Sequence, residues 1–209
     1  MTETPDRFRT LIVTAHPDPG SVTGRAARAV ADGFRDGGFA VDAHDVLAFD
    51  PRFAAADLAA YRDGAAGLPP DVRSEQRRLE RYDAVAIVFP VYWWTLPGAL
   101  KGWIDRVFTR GWAYDDTGAG TALSAPKRLY FFGIGATNEA TYTKHGYEAG
   151  MHAQLVDGLA GYMGAADSEL VLLYDGESTD AAAHAARDAT ARSRAAAIAR
   201  RAGRTDDAA

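Results

Sequence analysis

Cysteine is absent from this chain of 209 residues. Disulfides, thiolate metal sites and catalytic thiols are thereby excluded, and any redox activity requires a bound cofactor. An excess of positive charge is also missing: 23 Lys and Arg stand against 28 Asp and Glu, a net charge of −5. That balance offers no electrostatic footprint for nucleic acid, whose phosphates are held mainly by Lys and Arg. Long hydrophobic runs are scarce. One stretch, between Asp83 and Lys101, has 17 residues without a charge. It reaches only the lower limit of a membrane span, about 17–25 residues. Pro90 and Pro97 interrupt it, so a strand followed by a helix explains it better, and the chain is not read as integral to a membrane. The N-terminal MTETPDRFRT lacks an apolar core and a cleavage signal and reads as a polar lead-in, consistent with a cytoplasmic protein. The five histidines are scattered, His145 and His152 lie seven apart, and no HExxH-type spacing occurs. No metal site is expected. No G-x-S-x-G elbow supports a serine hydrolase either.

What the sequence does contain is alternation. Short apolar runs occur at Leu11–His16, more weakly at Ala40–Asp45, and at Ala84–Pro90, Arg128–Gly135 and Glu169–Asp175. Most are nearly continuous, as strands covered on both faces are, and parallel sheets are covered on both faces. Helical patterns separate them at 21–36, 71–82, from Pro97, at 147–162 and at 180–202. The last is rich in alanine and arginine and reads as a surface helix. In the third, Leu100, Trp103, Ile104, Val107 and Phe108 form one apolar stripe, with Lys101, Asp105 and Arg106 off it. Pro97 suits its first turn, where a missing N–H costs nothing. Strand–helix alternation predicts an α/β fold, a doubly wound parallel sheet in the flavodoxin-like order 2-1-3-4-5. A single domain over 1–209 is expected, with a core of about 9–203 and polar, disordered ends. The connection 48–70 is long, with some helix near 55–61, and long connections are usually functional or part of an interface.

In an open parallel sheet, ligands bind beyond the carboxyl ends of the strands at the switch in strand order. Three segments should meet there. The first is His16–Ala26, where Ser21 can cap a helix and leave the N–H groups of Val22, Thr23 and Gly24 facing outward. Such a helix start attracts phosphate, although an ordinary capped helix looks the same. His16 reads as orienting this loop. The second is Phe89–Leu100. Tyr92, Trp93 and Trp94 are consecutive and cannot all face one core, so at least one ring should be exposed. That suits a flat ligand, or a hydrophobic hairpin or dimer patch. The third is Gly133–Met151, where small residues let a ligand approach the backbone. Gly133 and Gly135 superficially resemble a dinucleotide loop, but Asn138 stands where its last glycine would be.

These segments resemble the NAD(P)H:quinone oxidoreductase family of flavodoxin-like enzymes, which includes ancillary flavoproteins of potassium-efflux systems. The resemblance rests on AHPDPGS (Ala15–Ser21), FPVYWWTLPGALKGWIDRVF (Phe89–Phe108) and GWAYDDTGAGTAL (Gly111–Leu123), and extends more loosely from Arg9 to Tyr174. It implies a flavin, FAD or FMN, with NAD(P)H as co-substrate and a quinone or other small aromatic molecule as acceptor. His16, Ser21, Val22 and Thr23 would contact the flavin phosphate region. Pro90, Val91, Tyr92, Trp93 and Trp94 would line the isoalloxazine, and Gly135, Ala136 and Thr137 its pyrimidine edge. Tyr142 matches a tyrosine placed near flavin and substrate. Two positions depart from the better-known members: Glu148 stands where they carry histidine, and Gly135–Asn138 replaces a TTGG-like stretch. Both Tyr142 and Glu148 are candidates for proton handling. A homodimer is implied. Two other readings share the fold: a regulatory subunit of a membrane transporter, and a one-electron carrier like flavodoxin.

Overall fold

The computed structural model describes residues 8–58, 67–115 and 128–206, with side chains to 203. Five strands form one parallel sheet: β1 (Arg9–Thr14), β2 (Ala40–Asp45), β3 (Ala84–Pro90), β4 (Arg128–Ile134) and β5 (Asp167–Leu173). Their order is β2-β1-β3-β4-β5, as the alternation predicts. The helices are α1 (Val22–Asp36), α2 (Pro70–Leu79), α3 (Gly98–Val107), α4 (Glu139–His145), α5 (Tyr147–His152), continued by a π-helical stretch Ala153–Ala160, and α6 (Ala181–Asp206).

β3 sets the frame. Every residue from Ala84 to Phe89 has no exposed surface. Alternate side chains enter two cores. Val85, Ile87 and Phe89 pack with Leu11, Val13, Phe131, Trp103 and Val107 beneath α2 and α3. Ala84, Ala86 and Val88 pack with Ile12, Val30, Phe34, Tyr130 and Phe132 beneath α1 and α6. β2 is the polar exception because it is an edge strand with half its residues exposed.

Several boundaries differ from those read in the sequence. β1 starts at Arg9, inside the expected lead-in, and ends before Ala15 and His16, which begin the next loop. β5 likewise ends two residues early and starts at Asp167. In each case ladder pairing, which hydrophobicity does not encode, fixes the ends. Pro97 is the N-cap of α3 rather than its first helical residue. α4 was not expected; Asn138 caps it by accepting from the Thr141 N–H. The expected helix 147–162 is divided by its π-helical stretch. α6 is not a surface helix throughout: Ala191, Ala195, Ile198 and Ala199 are buried in the α1-side core. It also runs through Gly203–Asp206, part of the tail expected to be disordered. One helical turn occupies 55–58; the rest of the expected 55–61 helix, residues 1–7, the tail beyond 206 and most of Gly111–Leu123 lie outside the described residues. None of the described helices is long and apolar enough to cross a membrane.

Arg106 explains how the long connection is held. It lies off the apolar stripe, yet only 6% of it is exposed. Its guanidinium donates to Asp57 Oδ1 at 2.9 and 3.0 Å, to Asp71 Oδ2 at 2.7 Å and to the Asp50 carbonyl at 2.7 Å. One side chain thus ties α3 to α2 and to the segment 49–57, and Phe49 stacks 4.7 Å beneath it. Gly102 completes the fit, because a Cβ there would stand 2.3 Å from the Pro51 carbonyl oxygen. Glu75 of α2 is buried nearby. It accepts from Trp103 Nε1 at 2.9 Å and lies 2.8 Å from His44 Nε2. Burial alone would raise its pKa, but the hydrogen bonds from His44 and Trp103 outweigh that and hold it below its ordinary 4.5.

Breaking the Arg106 cluster leaves Asp57 buried without its partner. Arg106→Met should lower unfolding free energy by about 3–5 kcal/mol, and Asp57→Asn in the same chain should recover part of it, both read from urea titration. Glu75 has a depressed folded pKa, so its stabilisation is present above 4.5 and disappears as pH falls through the lower folded value. Glu75→Gln should therefore be less stable than the parent at neutral pH, and the gap should close on acidification. A gap independent of pH would remove that role.

Candidate functional site

The loops after β1, β3, β4 and β5 converge at the carboxyl end of the sheet, around the switch point between β1 and β3. His16, Ser21, Val22, Thr23, Pro90, Val91, Tyr92 and Ala136 line one cleft of 220 Å³. All eight are residues singled out from the sequence. Ile134, Gly176 and Glu177 complete the lining. The last two come from the loop after β5, where the Asp175–Gly176 turn pair was the available signal.

The loop 16–21 is rigid through its own hydrogen bonds. The Asp18 N–H donates to His16 Nδ1 at 3.1 Å, the Gly20 N–H to Asp18 Oδ1 at 2.7 Å, and the Ser21 N–H to the Asp18 carbonyl at 3.2 Å. Ser21 caps α1 as expected, accepting from the Gly24 N–H at 3.1 Å. This corrects one detail. Gly24 has spent its N–H on the cap, so the groups open to an anion are those of Val22 and Thr23, which precede any intrahelical partner.

The aromatic segment is a tight hairpin. Tyr92 and Thr95 exchange both backbone hydrogen bonds at 3.1 Å. Between them Trp93 has φ 50° and Trp94 φ 56°. Two positive φ angles are what a two-residue hairpin turn of type I′ requires, normally met by Asn-Gly. Bulky side chains there cost about 1–3 kcal/mol each. The strain turns Trp93 outward, 87% exposed, with Tyr92 half exposed. Trp94 folds the other way, with its ring 4.1 Å from that of Tyr147. Tyr147 also stacks on His145 and meets Tyr142 edge to face. The sequence reading missed Tyr147.

Ala136 supplies the third wall, and Gly135 beside it packs against Tyr142, neither of which lines the cleft itself. A Cβ on Gly135 would stand 2.6 Å from the Tyr142 hydroxyl, so the missing side chain makes room for the phenol. The Gly135 N–H donates to the Leu173 carbonyl at 2.9 Å, so it is not open to a ligand. Ala136 and Thr137 are exposed, and their carbonyls accept from the N–H groups of Glu177 and Asp175, joining the loops after β4 and β5. Tyr142 is buried, and burial raises its pKa. Tyr174 packs 5.2 Å from it and donates to Glu148 Oε2 at 3.3 Å. Burial and the Glu148 charge push the Tyr174 hydroxyl to about 12. Both phenols therefore stay protonated at neutral pH, and that of Tyr174 donates to Glu148. Glu148 itself is exposed and does not line the cleft; it reaches Tyr142 only through the Tyr174 ring. Among the described residues, no group of three His, Asp or Glu is placed to hold a metal ion.

Chemically, the cleft offers the anion-binding N–H groups of Val22 and Thr23, the aromatic ring of Tyr92 and the exposed backbone at Ala136. At 220 Å³ the cleft is smaller than the ~300–1,000 Å³ typical of ligand pockets.

Comparison with known proteins agrees with this layout. Residues 9–196 match the family described as having a flavodoxin-like fold. Mouse ribosyldihydronicotinamide dehydrogenase [quinone] is 32% identical over 159 residues, 66% of this chain and 68% of that protein. An uncharacterized NAD(P)H oxidoreductase of Haemophilus influenzae is 28% identical, over 79% of this chain and 83% of its own length. The NAD(P)H:quinone oxidoreductase from Methanothermobacter marburgensis superposes with a TM-score of 0.83 at 25% identity, covering 92% of this chain and all of the other.

The contact between Gly135 and Tyr142 can be tested directly. Gly135→Ala should cost about 1–3 kcal/mol in chemical denaturation through overpacking, and the cost should largely vanish in a Tyr142→Ala background. Equal costs in both backgrounds would mean the phenol is not what fills that space.

Proposed function

Since the chain belongs to the flavodoxin-like NAD(P)H:quinone oxidoreductase family, we propose that it is a flavin-dependent enzyme passing two electrons from NAD(P)H to a quinone-type acceptor. One observation carries the reading: the phosphate-attracting start of α1 at Val22 and Thr23, the residues Pro90–Tyr92 that lead into the strained turn, and Ala136 after β4 line a single cleft at the sheet's switch point. The residues fit a flavin, either FMN or FAD. Val22 and Thr23 N–H groups would hold its phosphate, Pro90–Tyr92 would lie along the ring, and the Ala136 and Thr137 N–H groups would meet its pyrimidine edge. When bound, the flavin supplies hydride chemistry that no side chain of this cysteine-free chain offers.

The protein's contribution is positional and electrostatic. Negative charge developing at the pyrimidine edge would be met by preorganised donors, the Ala136 and Thr137 N–H groups and the Tyr142 hydroxyl. A neutral phenol suits this role, and burial keeps it neutral. The open face of the cleft leaves room for a nicotinamide and then an acceptor to stack in turn. The exposed Trp93, Phe53 and Tyr162 rings favour a second copy of the chain as the cover, giving a homodimer. Sedimentation showing only monomer would count against that part.

Denaturing the purified protein and identifying the released flavin by chromatography tests the reading at its root. Bound FMN or FAD with rapid NAD(P)H-dependent quinone reduction is the expected result. A colourless protein that rejects both flavins overturns it, and reduction that halts at one electron points to a carrier instead. Tyr142→Phe should retain the flavin but slow its reduction by NAD(P)H about tenfold or more in stopped flow. An unchanged rate would remove the hydroxyl from the mechanism.

A further inference from the structure

Arg187, in the first half of α6, is a charged side chain that is only 5% exposed. Its Nη1 donates to the Asp175 carbonyl at 2.8 Å and, less closely, to that of Tyr174 at 3.5 Å. Nε and Nη2 are buried and have no hydrogen-bond partner among the described residues. Burial pulls its pKa down, the Asp188 charge opposes that, and Arg25 adds to it. The guanidinium nonetheless keeps its proton, as arginine does throughout proteins. A buried charge costs more than an apolar side chain in the same space, and Leu or Met would pack between α6 and the loop after β5 without that cost.

Backbone hydrogen bonds lead from this charge to the cleft. The Asp175 carbonyl belongs to the peptide group whose N–H is that of Gly176, and the Gly176 N–H donates to the Gly135 carbonyl at 2.8 Å. That carbonyl belongs in turn to the peptide group whose N–H is that of Ala136, and Ala136 lines the cleft. The guanidinium, two peptide groups and the Ala136 N–H therefore stand in series, donor to acceptor at every link. A cation at one end polarises each peptide in turn, and bonds in such chains strengthen one another by about 10–30% each. Local geometry keeps the series tight. A Cβ on Gly176 would stand 2.9 Å from the Gly135 carbonyl oxygen, so a larger residue there would push the two loops apart. Asp175 has a left-handed backbone, φ 57°, and its carbonyl is held from two sides, by Arg187 and by the Ser178 N–H at 3.1 Å. The Asp175 N–H donates to the Thr137 carbonyl at 3.0 Å and braces the same pair of loops.

We propose that Arg187 is a positioning residue for the cleft: its buried charge, relayed through the Asp175–Gly176 and Gly135–Ala136 peptide groups, strengthens the Ala136 N–H as a donor to negative charge on the bound ring. The proposal rests on the function proposed above and adds what sets the redox poise of that site. A stronger donor favours the reduced, more negative form of a flavin over the oxidised form, so it raises the reduction potential. An Arg187 that merely held the loop in place would stabilise the oxidised and reduced complexes alike and leave the potential where it was.

The test separates charge from shape. Arg187→Gln keeps an N–H donor for the Asp175 carbonyl and loses the charge, whereas Arg187→Lys keeps the charge. Each protein is loaded with whichever of FMN or FAD the parent binds more tightly and titrated with a reductant against a dye of known potential. Arg187→Gln should lose about tenfold in its preference for the reduced over the oxidised flavin, a fall of about 30 mV for two electrons. Its affinity for the oxidised flavin should stay close to the parent's. Arg187→Lys should keep the parent's potential, and Asp188→Asn, which removes a charge opposing Arg187, should raise it. The parent's potential in Arg187→Gln overturns the relay. If Arg187→Gln does not fold, an unchanged or lowered potential in Asp188→Asn overturns it. A second readout needs no flavin. In isotope-labelled protein, the amide protons of Gly176 and Ala136 should move upfield in Arg187→Gln and return in Arg187→Lys, and unmoved resonances overturn the relay. A protein that binds no flavin would instead sink the function proposed above, and these two resonances would still decide whether the charge reaches the cleft.

Discussion

Everything at the functional end of this protein depends on the complete burial of β3. A strand with no exposed side chain from Ala84 to Phe89 must be covered on both faces and flanked on both edges. That requirement places helices above and below it and puts β1 and β4 at its sides. The loops of β1, β3 and β4 then meet at the carboxyl end of the sheet. The site is a consequence of the layer structure, and its residues are those that happen to follow the buried runs.

The motif from Phe89 to Phe108 divides into two parts with different work. Pro90–Tyr92 faces the cleft, and the turn at Trp93 and Trp94 that follows stores backbone strain. Gly98–Phe108 points away from it. Trp103 and Arg106 reach α2 and the connection 49–57, and Gly102 lets the backbone at Pro51 lie against the helix. The most distinctive stretch of the sequence is thus half a binding surface and half a clamp, and the clamp holds the connection that borders the open side of the sheet.

Polar groups near the site are managed in one direction. Tyr142 and Tyr174 are pushed toward retaining their protons, by burial in both and by the Glu148 charge in the second. Backbone N–H groups that would otherwise compete for a ligand are already used: Gly24 caps α1 and Gly135 closes the sheet toward β5. What remains open is a short set of donors whose positions rigid elements determine, which is the condition for preorganised binding of an anionic edge.

The sequence alone determined the layers. Continuous apolar runs, Ser21 before a helical pattern and the stripe from Leu100 to Phe108 are local properties, and they carried the strand order, the α1 cap and eight of the residues lining the cleft. Tertiary structure decided the rest, because it depends on which distant groups become neighbours. Nothing in the spacing of Arg106 announces that Asp57 and Asp71 will surround it. Nothing in an alanine-rich helix says that α1 will bury Ala195 and Ala199. The N–H of Gly135 could be judged free only until β5 was laid beside it. Glu148 looked like an active-site substitution, and its distance from the cleft follows from the turn at Gly146, whose left-handed backbone redirects the chain. A cavity along α1 is the same kind of fact: three small side chains, Ala27, Ala31 and Ala43, line it only when a helix and an edge strand are packed together.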